Sequence, residues 1–235
     1  TDSGDETYVE VFTLSVNDLN ETPTDIDLSS SSFDENIAAV SIIATLSSTD
    51  DDDGDTHTYA LLEGEGDTDN DVFTIDGWNL IINESPDYES QDSYSIRLQT
   101  TDSGDETYVE VFTLSVNDLN ETPTNFSLST YSFNENITAG TTVATIYGVD
   151  EDTSDNHTFS FLSGFIQSEG NSAFTIDGSN LIINESPNYE TQSSYTIVIK
   201  ATDQFGESST GEYYRILYVN NLNETPTDID LSSSS

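Results

Sequence analysis

Residues 1–24 recur without a single change at residues 101–124, 100 positions further on. A stretch printed twice at one domain's spacing marks a tandem array, in which each copy is a unit and its neighbours are joined end to end. Other repeats agree. Leu80-Ile81-Ile82-Asn83-Glu84-Ser85-Pro86 returns at 181–187. The stretch Asn117-Asp118-Leu119-Asn120-Glu121-Thr122-Pro123-Thr124 occurs intact at 17–24 and, with Asn221 in place of the Asp, at 220–227. Residues 20–32 reappear as 223–235. The spacing drifts from 100 to 103, as small insertions between two copies would produce. The expected division is therefore the C-terminal strand of a preceding repeat at 1–22, complete repeats at 23–122 and 123–225, and the start of the next at 226–235. The parent is expected to be a long array, cut in mid-repeat at both ends of this chain.

Within a repeat every element reads as strand or turn. Ile26 and Leu28 alternate with polar neighbours, and Val40 to Leu46 suggests a second strand. His57 to Leu61 and Val72 to Ile75 follow, and Asp76-Gly77 turns the chain into Leu80 to Ile82. Tyr94, Ile96 and Leu98, then Phe112, Leu114 and Val116, have the period of two that lines one face of a strand. About seven short strands separated by Gly, Asn and Asp turns predict an all-β fold of tandem Greek-key β-sandwich modules, end to end. Pairs that keep apolar identity between copies are expected in the core: Tyr94 and Tyr195, Ile96 and Ile197, Phe73 and Phe174, Ile75 and Ile176. Trp78 faces Ser179 in the other copy and is expected at the surface.

Charge then limits the partners. The 235 residues carry 46 Asp+Glu against 3 Lys+Arg, a formal net charge of −43. Such a chain repels nucleic acid and anionic membranes and calls for cations, since its carboxylates repel one another unless screened or neutralised. There is no Cys to form a disulfide, and no apolar run approaches the roughly 20 residues of a membrane span. The 12 Tyr and 11 Phe fall largely in alternating runs, which argues for folded modules rather than an acidic disordered tail.

Acidic motifs recur at matching positions. The first copy has Glu35-Asn36, Asp50-Asp51-Asp52, Asp87-Tyr88-Glu89, Asp102 and Asp118-Leu119-Asn120-Glu121; the second has Glu135-Asn136, Asp150-Glu151-Asp152, Asn188-Tyr189-Glu190, Asp203 and Asn221-Leu222-Asn223-Glu224. Carboxylate, amide and main-chain oxygens are what calcium takes, six to eight at a time. Any one motif suits a solvated acidic surface; their joint recurrence favours a metal. An EF-hand reading of Asp50–Asp55 fails, because Thr49 and Ala60 would stand where Asp and Glu are needed. With 2 His and no Cys, zinc is disfavoured. Paired carboxylates could serve a glycosidase, but repetition in every module argues for architecture, so no enzyme is expected. The Asn-x-Ser/Thr triplets are common enough by chance in so Asn-, Ser- and Thr-rich a chain to carry no argument.

Taken together, these motifs resemble the cadherin and cadherin-like repeat family over essentially the whole chain. The resemblance implies Ca2+ between consecutive modules, typically three ions per joint. At the central joint it implies ligands Glu35, Asp87, Glu89, Asp118, Asn120 and Glu121 from upstream, with main-chain oxygens near Leu119 and Thr122, and Asp150, Asp152 and Asp203 from downstream. Their eight carboxylates would be nearly balanced by three calcium ions. By the same correspondence Asp18, Asn20, Glu21, Asp50, Asp52 and Asp102 serve the incoming joint, and Glu135, Glu190, Asn223 and Glu224 the outgoing one. The linker departs from the family pattern in being one residue shorter before its Pro, with Glu for the usual Asp. Asn188 and Asn221 replace Asp87 and Asp118 at the outgoing joint, where weaker calcium binding is expected. No Trp stands near the start of a module, so strand-swap adhesion is not carried over.

The near-identical copies and the Lys-poor, Cys-free composition resemble bacterial-type surface adhesin repeats. The expected role is a calcium-rigidified extension segment of a large extracellular or cell-surface adhesin. Its partners would be neighbouring repeats of the same chain, identical chains or surface glycans. The alternatives are a self-assembling surface or motility filament, and a carbohydrate-binding module, for which an aromatic platform in each copy would be expected.

Overall fold

The computed structural model describes residues 3–5, 7–17, 19–209 and 213–225. The chain divides into two compact units, Thr1–Leu119 and Asn120–Ser235. The first unit runs β1 (Asp25–Leu28), β2 (Ser32–Asp34), β3 (Ser41–Thr49), β4 (Thr58–Leu61), β5 (Phe73–Asp76), β6 (Asn79–Ile82), β7 (Ser93–Thr101) and β8 (Thr107–Asn117). Two four-stranded sheets result, in the orders β1-β3-β6-β5 and β2-β8-β7-β4. The second unit repeats the plan with β9 (Asn125–Leu128), β10 (Ser132–Asn134), β11 (Thr142–Val149), β12 (Thr158–Phe161), β13 (Phe174–Asp177), β14 (Asn180–Ile183), β15 (Ser194–Thr202) and β16 (Tyr214–Asn220). Its sheets are β9-β11-β14-β13 and β10-β16-β15-β12.

Seven strands become eight because the first is split. β1 pairs antiparallel with β3 in one sheet, and β2, a few residues on, pairs parallel with β8 in the other. One edge strand thus serves both sheets of the sandwich. The last two strands form its long hairpin: β7 and β8 pair from Ser93↔Ser115 to Thr101↔Thr107. Alternation puts Tyr94, Ile96 and Leu98 inward on β7, and Leu114 and Val116 inward on β8, all buried. The core closes on an aromatic contact in each unit. Tyr94 meets Phe73 edge-on at 5.4 Å between ring centres, and Tyr195 meets Phe174 at 5.3 Å. Ile75 and Ile176 pack against these cores but are only partly buried.

Two local expectations shift. Val40 lies outside β3, in the left-handed region at φ 65, where the second copy has Gly140 at φ 86. The turn requires a left-handed residue, so β3 begins at Ser41, and a β-branched side chain occupies a position that suits glycine. Trp78 is 67% exposed, as the Ser in the other copy indicated.

The segment 1–22, expected as the last strand of a preceding repeat, is not paired among the described residues. Its described residues carry no strand, and the side chains that alternate so well, from Tyr8 to Val16, stand in solvent. The same sequence at 101–124 builds β8. A strand is held by its neighbours' main chains, and among the described residues only the second copy of the sequence has them. The start of the next repeat, at 226–235, lies outside the described residues.

These identical sequences furnish a controlled comparison. Leu114 is fully buried and Leu14 is 91% exposed. Leu114→Ala should destabilise the first module by about 3 kcal/mol in chemical denaturation, and Leu14→Ala should leave its midpoint unchanged.

Candidate metal centres

Among the described residues, each unit carries two groups of converging acidic side chains. The first is built around a buried glutamate. Glu35, just past β2, is 2% exposed. Its Oε2 accepts the main-chain N–H of Tyr88 at 2.8 Å and its Oε1 that of Leu119 at 2.7 Å. One carboxylate thereby ties together the end of the split strand, the Asp87–Glu89 loop and the linker. Asn36 sits in the left-handed region at φ 60, and its N–H donates to the Pro86 carbonyl at 2.9 Å, which fixes the approach. Carboxylate oxygens of Glu35, Glu89 and Asp118 lie within 4.8 Å of one another.

The second unit reproduces this. Glu135 is 1% exposed, and accepts from Tyr189 N–H at 2.9 Å and Leu222 N–H at 2.7 Å. Glu135, Glu190 and Glu224 form the group. The main-chain N–H groups of Leu222 and then Tyr189 hold the Glu135 carboxyl below its usual range. Asn136 Nδ2 donates to Glu224 at 2.8 Å and Asn221 Nδ2 to Glu190 at 3.3 Å, so Asn221 contributes a donor where the first unit has the Asp118 carboxylate.

Asp87 is not brought into its group. Its two oxygens accept from Ser90, at 3.0 Å from the main-chain N–H and 2.8 Å from the hydroxyl, closing the loop turn. Asn188 performs the same service, accepting the Thr191 N–H at 2.9 Å. The change from Asp87 to Asn188 therefore falls outside the carboxylate group. Asn223 is exposed, and Asp18 lies outside the described residues.

The other group lies at the far end of the long hairpin. Asp50, Asp55 and Asp102 converge in the first unit, and Asp150, Asp155 and Asp203 in the second. Asp102 and Asp203 are buried in the turn that ends β7 or β15. Asp203 Oδ1 accepts three main-chain N–H groups, from Phe205, Gly206 and Glu207, at 2.7–2.9 Å. The linker enters here. Asn20 Nδ2 donates to Asp102 at 3.0 Å and Asn120 Nδ2 to Asp203 at 3.1 Å. The main-chain N–H of Glu21 donates to Asp52 at 2.7 Å and that of Glu121 to Asp152 at 2.8 Å. His57 and His157 bond Asp50 and Asp150 through Nε2 at 3.1 and 2.8 Å.

Asp55 and Asp155 escaped the sequence reading, although both recur at matching positions before His57 and His157. The surrounding Asp-rich loop hid them, because spacing alone does not say which of several adjacent carboxylates turns inward. Burial first, and then Asp152, Asp150 and Asp203, push the Asp155 carboxyl above its usual range. Burial also acts to raise Asp203, but the Asn120 amide and the turn N–H groups outweigh it and hold that carboxyl down. At Asp50 the Asp52 N–H leads the causes that lower it, with His57 adding to them against burial.

The donor set fits a hard divalent cation. All the group members are carboxylates, and the buried oxygens Asp55 Oδ2, Asp150 Oδ1 and Asp155 Oδ2 have no hydrogen-bond partner. Buried acceptors facing like charges are costly unless a cation joins them.

No family model matches the chain. It is 29% identical to mouse Protocadherin Fat 4 over 236 residues, 94% of this chain and 4% of that protein. The Drosophila Fat-like cadherin-related tumor suppressor homolog matches at 27% over 63% of this chain. The chain thus spans about 4% or less of the length of these relatives. Among solved structures, human Protocadherin-24 EC1-2 superimposes with a TM-score of 0.63 at 19% identity, covering 87% of this chain and 100% of that one. The Protocadherin GammaB4 extracellular domain gives 0.59 at 21% identity, covering 88% and 34%. The two units have the fold of cadherin-like repeats. Among the described residues no helix is long and apolar enough to cross a membrane.

Two outcomes follow for the metal-free chain. Asp155→Asn removes a charge that three neighbouring carboxylates oppose, so it should raise the melting temperature in chelator. The lowered Glu135 carboxyl stabilises the fold when ionised, in full above the unfolded value near 4.5. That contribution is lost as pH falls through the folded value. An acid titration of the melt should show it, and Glu135→Gln should flatten the same limb.

Proposed function

We propose that the chain is a non-catalytic, calcium-rigidified extension segment of a large repetitive extracellular adhesin-like protein, with calcium held where successive repeats join. The repeats would run 23–122 and 123–225, flanked by the last strand of one neighbour and the first of another. The observation that carries the reading is the pair of acidic groups in each module. In both units one of them contains buried carboxylate oxygens without a partner. The linker supplies both kinds of group: Asp118 stands with Glu35 and Glu89, while Asn120 and Glu121 bond Asp203 and Asp152.

Glu35, Glu89, Asp118, Asn120, Glu121, Asp150, Asp152, Asp155 and Asp203 would hold the metal at the central joint. Asp87, with both oxygens engaged by Ser90, would position the loop or exchange that turn for a metal bond. Asn120 now offers its amide N–H₂ to Asp203; as a ligand it would present its oxygen instead. Calcium would supply charge neutralisation, turning mutual repulsion into a cross-link between segments. Asp18, Asn20, Glu21, Asp50, Asp52, Asp55 and Asp102 would do the same for a preceding repeat, and Glu135, Glu190, Asn223 and Glu224 for a following one. The exact repetition of 1–24 at 101–124 and the Cys-free, Lys-poor composition support a bacterial-type adhesin. Self-association is the second reading, since the extracellular domains of protocadherin gammaB7, a structural neighbour, were solved as a cis-dimer.

Chelation should lower the melting temperature and change the maximum dimension in solution scattering; constancy of both overturns the proposal. In longer chains with both joints complete, calcium titration should find the joint at Asn221 weaker than the one at Asp118, and equal affinities would remove the role given to the lost carboxylate.

A further inference from the structure

The two modules hold the start of their first strand in different ways. In both, the second residue of that strand donates its N–H to the side chain before it. Ile26 donates to Asp25 Oδ1 at 3.0 Å, and Phe126 to Asn125 Oδ1 at 2.8 Å. The last strand reaches the same point from across the sandwich. On β8 the inward row Val116, Leu114 and Phe112 continues to Glu110, which lies opposite Leu98. Its Oε2 also accepts the Ile26 N–H, at 3.4 Å. On β16 the inward row Val219 and Leu217 continues to Arg215, which pairs with Ile197 as Phe112 pairs with Ile96. Arg215 Nη2 donates to Asn125 Oδ1 at 3.0 Å and to the Phe126 carbonyl at 2.6 Å, and the guanidinium lies 4.8 Å from the centre of the Phe126 ring.

The second module's contact is balanced, because a neutral amide oxygen and a carbonyl meet a cation. The first module's is one donor short: a single N–H serves two carboxylates. We propose that Glu110 and Asp25 form a proton-operated clasp, which ties the start of β1 to β8 when the two carboxyls share a proton and lets go when it leaves. The acid O–H of one carboxyl donates to the other, a charge-assisted bond, and the proton comes from water and returns to it. Around Glu110, β1 brings Asp25 and Asp27, and β8 itself brings Tyr108. From β7 come Leu98 and Thr100, the latter bonded to Ser48 of β3, which also bonds Tyr59 of β4. Glu65 and Arg97 share a cleft with Glu110, and Arg97 makes no ion pair with either among the described residues. Burial first, then Asp25 and Asp27, push the Glu110 carboxyl above its usual range, against the Ile26 N–H. A carboxyl raised on folding favours the fold when protonated. The clasp therefore contributes in full below the unfolded value near 4.5 and is lost as pH rises through the folded value. The lowered Glu135 carboxyl acts the other way, so acid tightens the β1 end of the first module and loosens the Glu135 end of the second. Neither Glu110 nor Asp25 belongs to an acidic group that would hold calcium, so the clasp does not rest on that reading.

Glu10 is the built-in control, having the same sequence neighbours and an exposed side chain. In a carboxyl NMR titration of the full chain at one fixed calcium concentration, Glu110 should titrate at a higher midpoint than Glu10. Amide hydrogen exchange, corrected for its intrinsic rate, should show Ile26 protection falling roughly tenfold between about pH 5 and about pH 7, with Phe126 unchanged. Glu110→Gln gives Asp25 a permanent N–H₂ donor, and Asp25→Asn installs the second module's own residue. Each should hold Ile26 protection level over the same range. The proposal is overturned by equal midpoints of Glu110 and Glu10, or by Ile26 protection that is flat in the unaltered chain. It is equally overturned by a parallel fall at Phe126, which would mean general loosening, or by an undiminished pH slope in either variant.

Discussion

A buried glutamate whose two oxygens each take a main-chain N–H is the constraint from which the rest of a module follows. Glu35 and Glu135 hold the split first strand, the acidic loop before the long hairpin, and the outgoing linker at one place. At Glu135 the two N–H groups hold the carboxyl below its usual range against its burial, so it can be charged with little water around it. The charge then stays inside the structure, next to two further carboxylates. A neutral tie would have held the segments equally well. Holding them with a charge makes the end of the module a place where a cation is wanted.

The hairpin explains why each module has two such places. β7 and β15 run nine residues, about 30 Å, from the glutamate group to the buried Asp102 or Asp203. The turn N–H groups that surround Asp102 and Asp203 perform for these ends the service that Tyr88 and Leu119 perform for Glu35. Between the ends, an apolar core of ordinary composition holds the sheets together; at the ends, the fold positions charges that oppose one another.

Much of this was legible in the sequence. Alternation in Tyr94-Ser95-Ile96-Arg97-Leu98 has one structural solution, and the aromatic and β-branched residues kept between copies lie in the cores. Glu35 and Asp102 stood out because their motifs recur. What remained hidden depends on local geometry. Asp87 has the sequence of a ligand, yet Ser90 three residues on takes both its oxygens, and no spacing rule reports that competition. Asp55 looks like one more member of an acidic loop until the chain folds it against Asp50 and Asp102. Val40 reads as strand because it is β-branched, and becomes a turn because the next residue must start the sheet.

The sequence alone determined that the chain is a tandem array of acidic β modules, because exact repetition and a period of two leave little else for it to be. It did not determine that any given stretch forms a strand. Residues 1–24 and 101–124 are letter for letter the same, yet Leu114 is sealed in a core while Leu14 stands in water. Local preference is equal in the two places. The difference lies in the hydrogen bonds of β7 and β2 and the apolar surface beneath them, which only the folded module provides.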